Sequence, residues 1–391
     1  MKLQHWSIPA LLAILFWQDA SSAQLSPGHA IPSQGLEPAP QNLPLIHQQR
    51  HESWSADRGN PGKVRQQHIV DNYQELTWNS TDSLQACETC NSSCSRVGSH
   101  RTGWFGDLLY LTARDVDQAY ATHVDGPITA PVPVAPTSVV DSSYQPGFRI
   151  GHISELSDKS SLRATYWYYQ SDADDSLNFP GGTGWIRPEV THPDTLAADI
   201  DKLSASASYD IDLQMFDLTY CKVWKEDCNY SMNYVVGVRY GHLEQEFHSD
   251  FRILGVRTVD TDIRFDGAGP RIGLEGSRQL GGSWQAYGQV FGNLLAGKFS
   301  ANYAQQSNLA GAEATAGIDD RRLVPQLELE TGIQWLNSCG NFQIRAGYYV
   351  GAWFNVATTP TWIDAVQANN TNDIDESLVF DGFAIRAVYR F

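Results

Sequence analysis

The sequence predicts an all-β fold, a transmembrane antiparallel up-and-down β-barrel of about ten strands, with eight or twelve as the alternatives. Three observations lead there. The stretch 378–391 alternates strictly: Phe383, Ile385, Ala387, Tyr389 and Phe391 share one face, while Gly382, Ala384, Arg386, Val388 and Arg390 share the other. The connectors between candidate strands alternate long and short: 115–144, 158–160, 172–201, 222–229, a medium 249–261, 280–283, 306–320, 338–340 and 357–377. That rhythm belongs to a barrel with long loops at one rim and tight turns at the other, and a Greek-key sandwich gives no reason for it. Finally, no run beyond the N-terminus approaches the roughly 18 apolar residues of a membrane helix. A mean hydropathy of −0.35 still suits a barrel, because half of each strand faces water.

In chain order, residues 1–23 read as an export signal: Lys2 gives the positive end, 8–17 the apolar core and Ser21-Ser-Ala23 the cleavage site. Residues 24–99 are polar and rich in Pro, Gln, Ser and His, which predicts a largely disordered periplasmic extension with a short helix near 70–76. From 100 to 391 the texture is that of the barrel. Strands are expected at 104–114, 145–157, 161–171, 202–221, 230–248, 262–279, 284–305, 321–337, 341–356 and 378–391. In the eighth, Leu327, Leu329, Ile333 and Trp335 oppose Gln326, Glu328, Glu330 and Gln334. The fourth sets Leu203, Ala205, Ala207, Tyr209, Ile211 and Leu213 against serines, Asp210, Asp212 and Gln214, and its phase changes after Met215, which suggests a bulge. The glycine-rich run 267–273 permits sharp coiling, and Pro270 within it suggests another bulge.

With 44 acidic and 27 basic residues the net charge is −17, which excludes a nucleic-acid partner. The acid gathers in the long connectors, most densely at Asp172, Asp174, Asp175, Glu189, Asp194, Asp199 and Asp201. Such an acidic mouth would concentrate cations, or hold divalent ions bridging to anionic outer-membrane lipid. Strand phase turns Asp210, Asp212, Arg239, Arg264, Asp266, Arg271, Glu275, Glu328, Glu330, Arg345, Arg386 and Arg390 inward. In a narrow lumen these either form a constriction with a transverse field or close it as an ion-pair core.

All six cysteines fall on the turn side: Cys87, Cys90 and Cys94 before the first strand, Cys221 and Cys228 around a turn, and Cys339 in another. In an exported protein they read as disulfides, with Cys221–Cys228 the leading pair and Cys339 left for the N-terminal trio. A metal site at Cys87, Cys90 and Cys94 lacks a nearby fourth ligand, so no metal or cofactor is expected.

Five segments carry a family resemblance: Gly103-Trp-Phe-Gly-Asp-Leu-Leu-Tyr-Leu111, Tyr209-Asp-Ile-Asp-Leu-Gln-Met-Phe-Asp217, Val236-Gly-Val-Arg-Tyr240, Phe265-Asp-Gly-Ala-Gly-Pro-Arg-Ile-Gly-Leu-Glu275 and Asn293-Leu-Leu-Ala-Gly297. Together with the C-terminal strand, they resemble the Legionella-type pore-forming outer-membrane proteins, also common in planctomycetes. The terminal Phe391 resembles the C-terminal signal of outer-membrane proteins. The resemblance covers about 104–391 and implies a porin-like channel for passive diffusion of small hydrophilic solutes or cations, without catalytic residues. Two alternatives stand beside it. One is a structural or adhesive barrel with a sealed lumen that anchors the envelope. The other is a hydrolase using Asp with His123, His152, His192, His242 or His248 at the loop face. The chain has neither a G-x-S-x-G elbow nor an H-E-x-x-H motif, so no enzyme is expected.

Overall fold

The computed structural model describes residues 100–126, 132–178, 185–195, 202–252, 255–371 and 374–391. The expected signal sequence, the 24–99 extension with its short helix, and Cys87, Cys90 and Cys94 lie outside them.

Ten strands close into a barrel: β1 (Gly103–Arg114), β4 (Gln145–Ser157), β5 (Ser160–Asn178), β7 (Ser204–Glu226), β8 (Tyr230–Arg252), β9 (Val256–Gly281), β10 (Trp284–Ser307), β11 (Gly311–Leu336), β12 (Phe342–Val356) and β13 (Glu376–Arg390). Every neighbouring pair is antiparallel, and β1 closes the ring between β13 and β4. All ten expected strands are present. Three further strands, β2 (Gln118–Val124), β3 (Ser138–Val140) and β6 (Trp185–Pro188), form a small sheet at the loop end, and α1 (Thr359–Gln367) lies in the last long connector.

The barrel is taller than the sequence predicts. Strands β8 and β9 stay paired to Arg252↔Val256, and β10 and β11 to Ser307↔Gly311, so two expected outer loops are mostly strand. The reason lies in which face meets which solvent. On β7, Ser204, Ser206, Ser208, Asp210, Asp212 and Gln214 point out of the barrel, followed by the apolar Phe216, Leu218 and Tyr220. Its inward face runs the other way: Ala205 to Met215 is apolar, then come Asp217, Thr219 and Cys221. The neighbouring strands reverse at the same level, between Tyr240 and His242 on β8 and between Ala268 and Asp266 on β9.

No bulge occurs at Met215. Register runs unbroken through Met215↔Gly241 and Phe216↔Tyr240, and the apparent phase change is this exchange of polar and apolar faces. Below it the outer wall is a lipid-facing belt that includes Trp104, Leu108, Phe148, Ile150, Val236, Val238, Ile272, Leu327 and Ile385. Above it the wall is an ordinary water-soluble one, polar outside and apolar inside. Pro270 likewise makes no bulge. Pairing resumes in the same register on both sides of Gly269 and Pro270, at Asn293↔Arg271 and Ala296↔Ala268. At Gly269 a Cβ would sit 1.8 Å from the Leu294 carbonyl oxygen, so only glycine fits that close approach.

Candidate functional site

The lumen is the candidate site, and its charged layer is assembled from side chains on opposite walls. On the ladder between β7 and β8, Asp217 stands opposite Arg239, which donates to it at 2.5 and 2.7 Å. Arg239 also donates across the lumen to Glu328 on β11, and Arg271 on β9 reaches the same carboxylate at 2.8 Å. A second group joins Asp107 on β1 to Arg149 on β4 and to Arg386 on β13, the latter by bonds of 2.7 and 2.9 Å. Arg149 then spans to Glu330 at 2.8 Å, and Tyr287 and Gln289 donate to that carboxylate. Trp167 is wedged between the groups, with the Arg149 guanidinium 4.2 Å from its ring centre. Nearer the turns, Arg163 pairs with Glu275 at 2.5 Å.

Above these layers an apolar core fills the barrel. Tyr169, Tyr209, Phe247, Phe265, Phe299, Trp353 and Phe380 are all buried, with Phe265 edge-on to Trp353. The loop end is closed by α1, which carries Pro360 in its first turn and buries Trp362, Ile363 and Val366. Two glutamines fasten this lid, and a third holds the 192–195 loop. Gln245 accepts from Tyr209 and donates to the Ala357 carbonyl, and Gln367 donates to the carbonyls of Glu189 and Thr191. Gln305 accepts from the His192 amide and donates to Thr195 and Glu313. The lumen is thus packed from ion-paired layer to lid, and two of its cavities measure about 70 and 20 Å³.

Of the residues expected to line a pore, Arg239, Arg271, Glu275, Glu328, Glu330, Arg345 and Arg386 face the lumen. Asp210, Asp212 and Asp266 do not. They sit on the outer wall above the lipid belt, where Asp210 lies between Asp172 and Glu246, and Asp266 accepts from Tyr240 and His242. Arg264 is on that wall too, paired with Glu244 and Asp262. The exchange of faces at Met215 explains these misplacements, since extending the phase read above that level turns the wrong side inward. Asp107, Arg149, Arg163 and Asp217 were missed. Their signal was available as charged residues at alternate positions within apolar runs.

Among the described residues the acidic mouth does not assemble. Asp172 and Asp174 lie on the outer wall of β5, Asp175 turns inward to accept from Tyr120 at 3.0 Å, and Glu189 pairs with Arg187 at 2.9 Å. Asp194 accepts from Asn369, while Asp199 and Asp201 fall outside the described residues. The outer wall does gather Glu244, Glu246 and Asp262 into one acidic group. Burial and the neighbouring Glu246 raise the carboxyls of Glu244 and Asp262 above their ordinary range, while Arg264 opposes the shift.

The Cys221–Cys228 disulfide is not formed. Cys221 is a free thiol on the inward face, packed with Val235 and Phe291, with Sγ 4.0 Å from Glu275 Oε2. Its place in the β7–β8 ladder is opposite Val235, well inside the turn that carries Cys228. The five histidines are dispersed: His123 on the small sheet, His152 tilted against Trp104 with ring centres 4.4 Å apart, His192 in the loop after β6, and His242 and His248 on the outer wall beside Asp266 and Asp260.

Residues 100–391 match the model of a family described as Legionella pneumophila major outer membrane protein precursor. No curated protein matches the sequence. Among solved structures, the chain is similar to the outer membrane protease OmpT of Escherichia coli (13% identity, covering 77% of this chain and 100% of that one, TM-score 0.39). It is also similar to the toluene transporter TbuX of Ralstonia pickettii (9% identity, 75% and 90% covered, TM-score 0.22). A third similarity is to the transport unit of the autotransporter AIDA-I of Escherichia coli (7% identity, 78% and 97% covered, TM-score 0.26).

Proposed function

The chain belongs to the Legionella pneumophila major outer membrane protein family, and from that premise we propose that it is a closed outer-membrane barrel, a structural component of the envelope without enzymatic activity. One observation carries this reading. The cross-section is occupied twice over, by a layer of buried ion pairs and by the apolar core under α1. Water could replace the first only by separating Arg239 from Asp217 and Glu328, and Arg149 from Asp107 and Glu330. Separating a buried pair leaves uncompensated charge. In this reading the turn end and the N-terminal segment face the periplasm, where an N-terminal extension can tie the barrel to other envelope parts. The small sheet and α1 face outward, and the acids of the upper wall meet lipid headgroups through divalent cations.

A porin-like channel for small hydrophilic solutes or cations is the second reading. The polar wall of the membrane-spanning half and its cavity of about 70 Å³ favour it. It requires the lid to leave, with loss of the Gln245 and Gln367 contacts. Single-channel recording of the folded protein in planar bilayers, under a salt gradient, separates the two. The closed barrel predicts a silent bilayer. Discrete steps would overturn it, and cation selectivity among them would support the channel.

A further inference from the structure

At the turn end of the lumen the guanidiniums outnumber the carboxylates. On the strands of the membrane-spanning half, Asp107, Asp217, Glu275, Glu328 and Glu330 face Arg149, Arg163, Arg239, Arg271, Arg345, Arg386 and Arg390, five acids against seven bases. The two left over adjoin one another. Arg345 and Arg390 both line the cavity of about 70 Å³, where Arg163 is already paired with Glu275 by two bonds, at 2.5 and 3.1 Å. Arg390 donates to the Gln343 amide oxygen at 2.7 Å. Arg345 Nε is buried without a hydrogen-bond partner, and the guanidinium lies 5.3 Å from the Tyr287 ring centre. Among the described residues neither arginine forms a salt bridge.

A second, independent group points into the same space. His100 is 7% exposed, its Nδ1 lies 2.9 Å from the Ser161 hydroxyl, and its buried Nε2 has only the Asn233 side chain beside it, without a hydrogen bond of normal geometry. When Ser161 donates to Nδ1, the ring proton resides on Nε2 and faces the cavity as a donor. Asn233 lines the same wall beside it.

We propose that this cavity binds a small tetrahedral oxyanion of the phosphate or sulfate class, held by Arg345 and Arg390 with His100 Nε2 donating to it. Two neighbouring guanidiniums removed from bulk water require a counter-charge, and a fork of N–H donors matches the oxygens of such an anion. A single water needs about 10–15 Å³ of comparable volume, so the cavity accommodates a small anion with one or two waters. The site lies below the ion-paired layers and does not depend on whether the lumen conducts.

The test uses the full-length protein refolded in detergent, with folding verified by heat-modifiable gel mobility. Inorganic phosphate replaces chloride at constant ionic strength, and binding is followed by calorimetry and by the thermal midpoint. Wild type should give a saturable response that is at least tenfold weaker in Arg345→Gln and Arg390→Gln and unchanged in Lys298→Gln on the outer wall. Without phosphate, Arg345→Gln should melt above wild type because it deletes an uncompensated charge, and that advantage should vanish at saturating phosphate. If a Gln variant fails to fold, His100→Phe carries the comparison, with an expected loss of at least threefold. No saturable response in folded wild type, an equal response to chloride, or an undiminished one in the variants would overturn the site.

Discussion

Met215 and Asp217 sit two residues apart on the inward face of β7, and between them the lining of the barrel passes from apolar to charged. The outward face changes in the opposite sense between Gln214 and Phe216. One level thus marks both where lipid replaces water outside and where ion pairs replace apolar packing inside. The polar lining lies behind the lipid belt, so each half of the wall has one polar and one apolar face.

From this arrangement, Asp217→Ala should be among the most destabilising single changes in the barrel. It leaves Arg239 buried with Glu328 shared between two arginines. Breaking one partner of a buried pair costs about 3–5 kcal/mol. Urea unfolding of the refolded protein measures it. The double variant Asp217→Leu with Arg239→Met should recover most of the loss, because a well-packed apolar replacement removes both charges together.

The existence and order of the ten strands were legible because period-2 alternation survives whichever face is apolar. Orientation was not, because alternation alone does not say which solvent lies outside. Asp210 and Asp266 were turned inward on the assumption of one environment along the whole strand, whereas β7 and β9 cross two. The pairs centred on Asp107 and Asp217 escaped notice because their partners stand on other strands, and only closure of the ring brings Arg149 and Arg386 to one carboxylate. The lid was hidden for another reason: α1 is nine residues long, and its Trp362, Ile363 and Val366 stripe is too short to establish a helical period.

The level of the lipid belt predicts a contrast between two arginine substitutions. Leu108 pairs with Ile385 within the belt, and Thr315 points outward on the upper part of β11. Leu108→Arg should destabilise the folded barrel in bilayers by about 2–4 kcal/mol, the cost of a lipid-facing arginine near the midplane. Thr315→Arg should stay within about 0.5 kcal/mol, as surface changes in water do. Equal losses at the two sites would contradict the assignment of the belt.

The acidic group on the upper wall gives a pH dependence of definite sign. Burial and Glu246 raise the folded-state pKa values of Glu244 and Asp262, so ionising them opposes folding. Their penalty is present above the raised values and disappears as pH falls through them toward the ordinary carboxylate range. Asp262→Asn should therefore stabilise the protein at neutral pH, by less than about 1 kcal/mol because the site is partly solvated. The gain should shrink on acidification in paired urea titrations. A gain that grew toward low pH would mean that Arg264 dominates the site.

The free thiol of Cys221 makes a last prediction, in which chemistry and stability must agree. Its side chain is 1% exposed and packs with Val235 and Phe291. A maleimide should therefore modify Cys221 only after unfolding, even without any reductant, as peptide mass mapping would reveal. Loss of a native disulfide typically costs about 2–5 kcal/mol. Cys221→Ala removes one buried sulfur, and its cost should be about 1 kcal/mol, on the scale of a single buried methylene. A cost in the disulfide range, together with protection of Cys221 from alkylation in the unfolded, unreduced protein, would restore a bridge at this position. Labelling on unfolding with a small loss would fix Cys221 as part of the lumen packing beside Glu275.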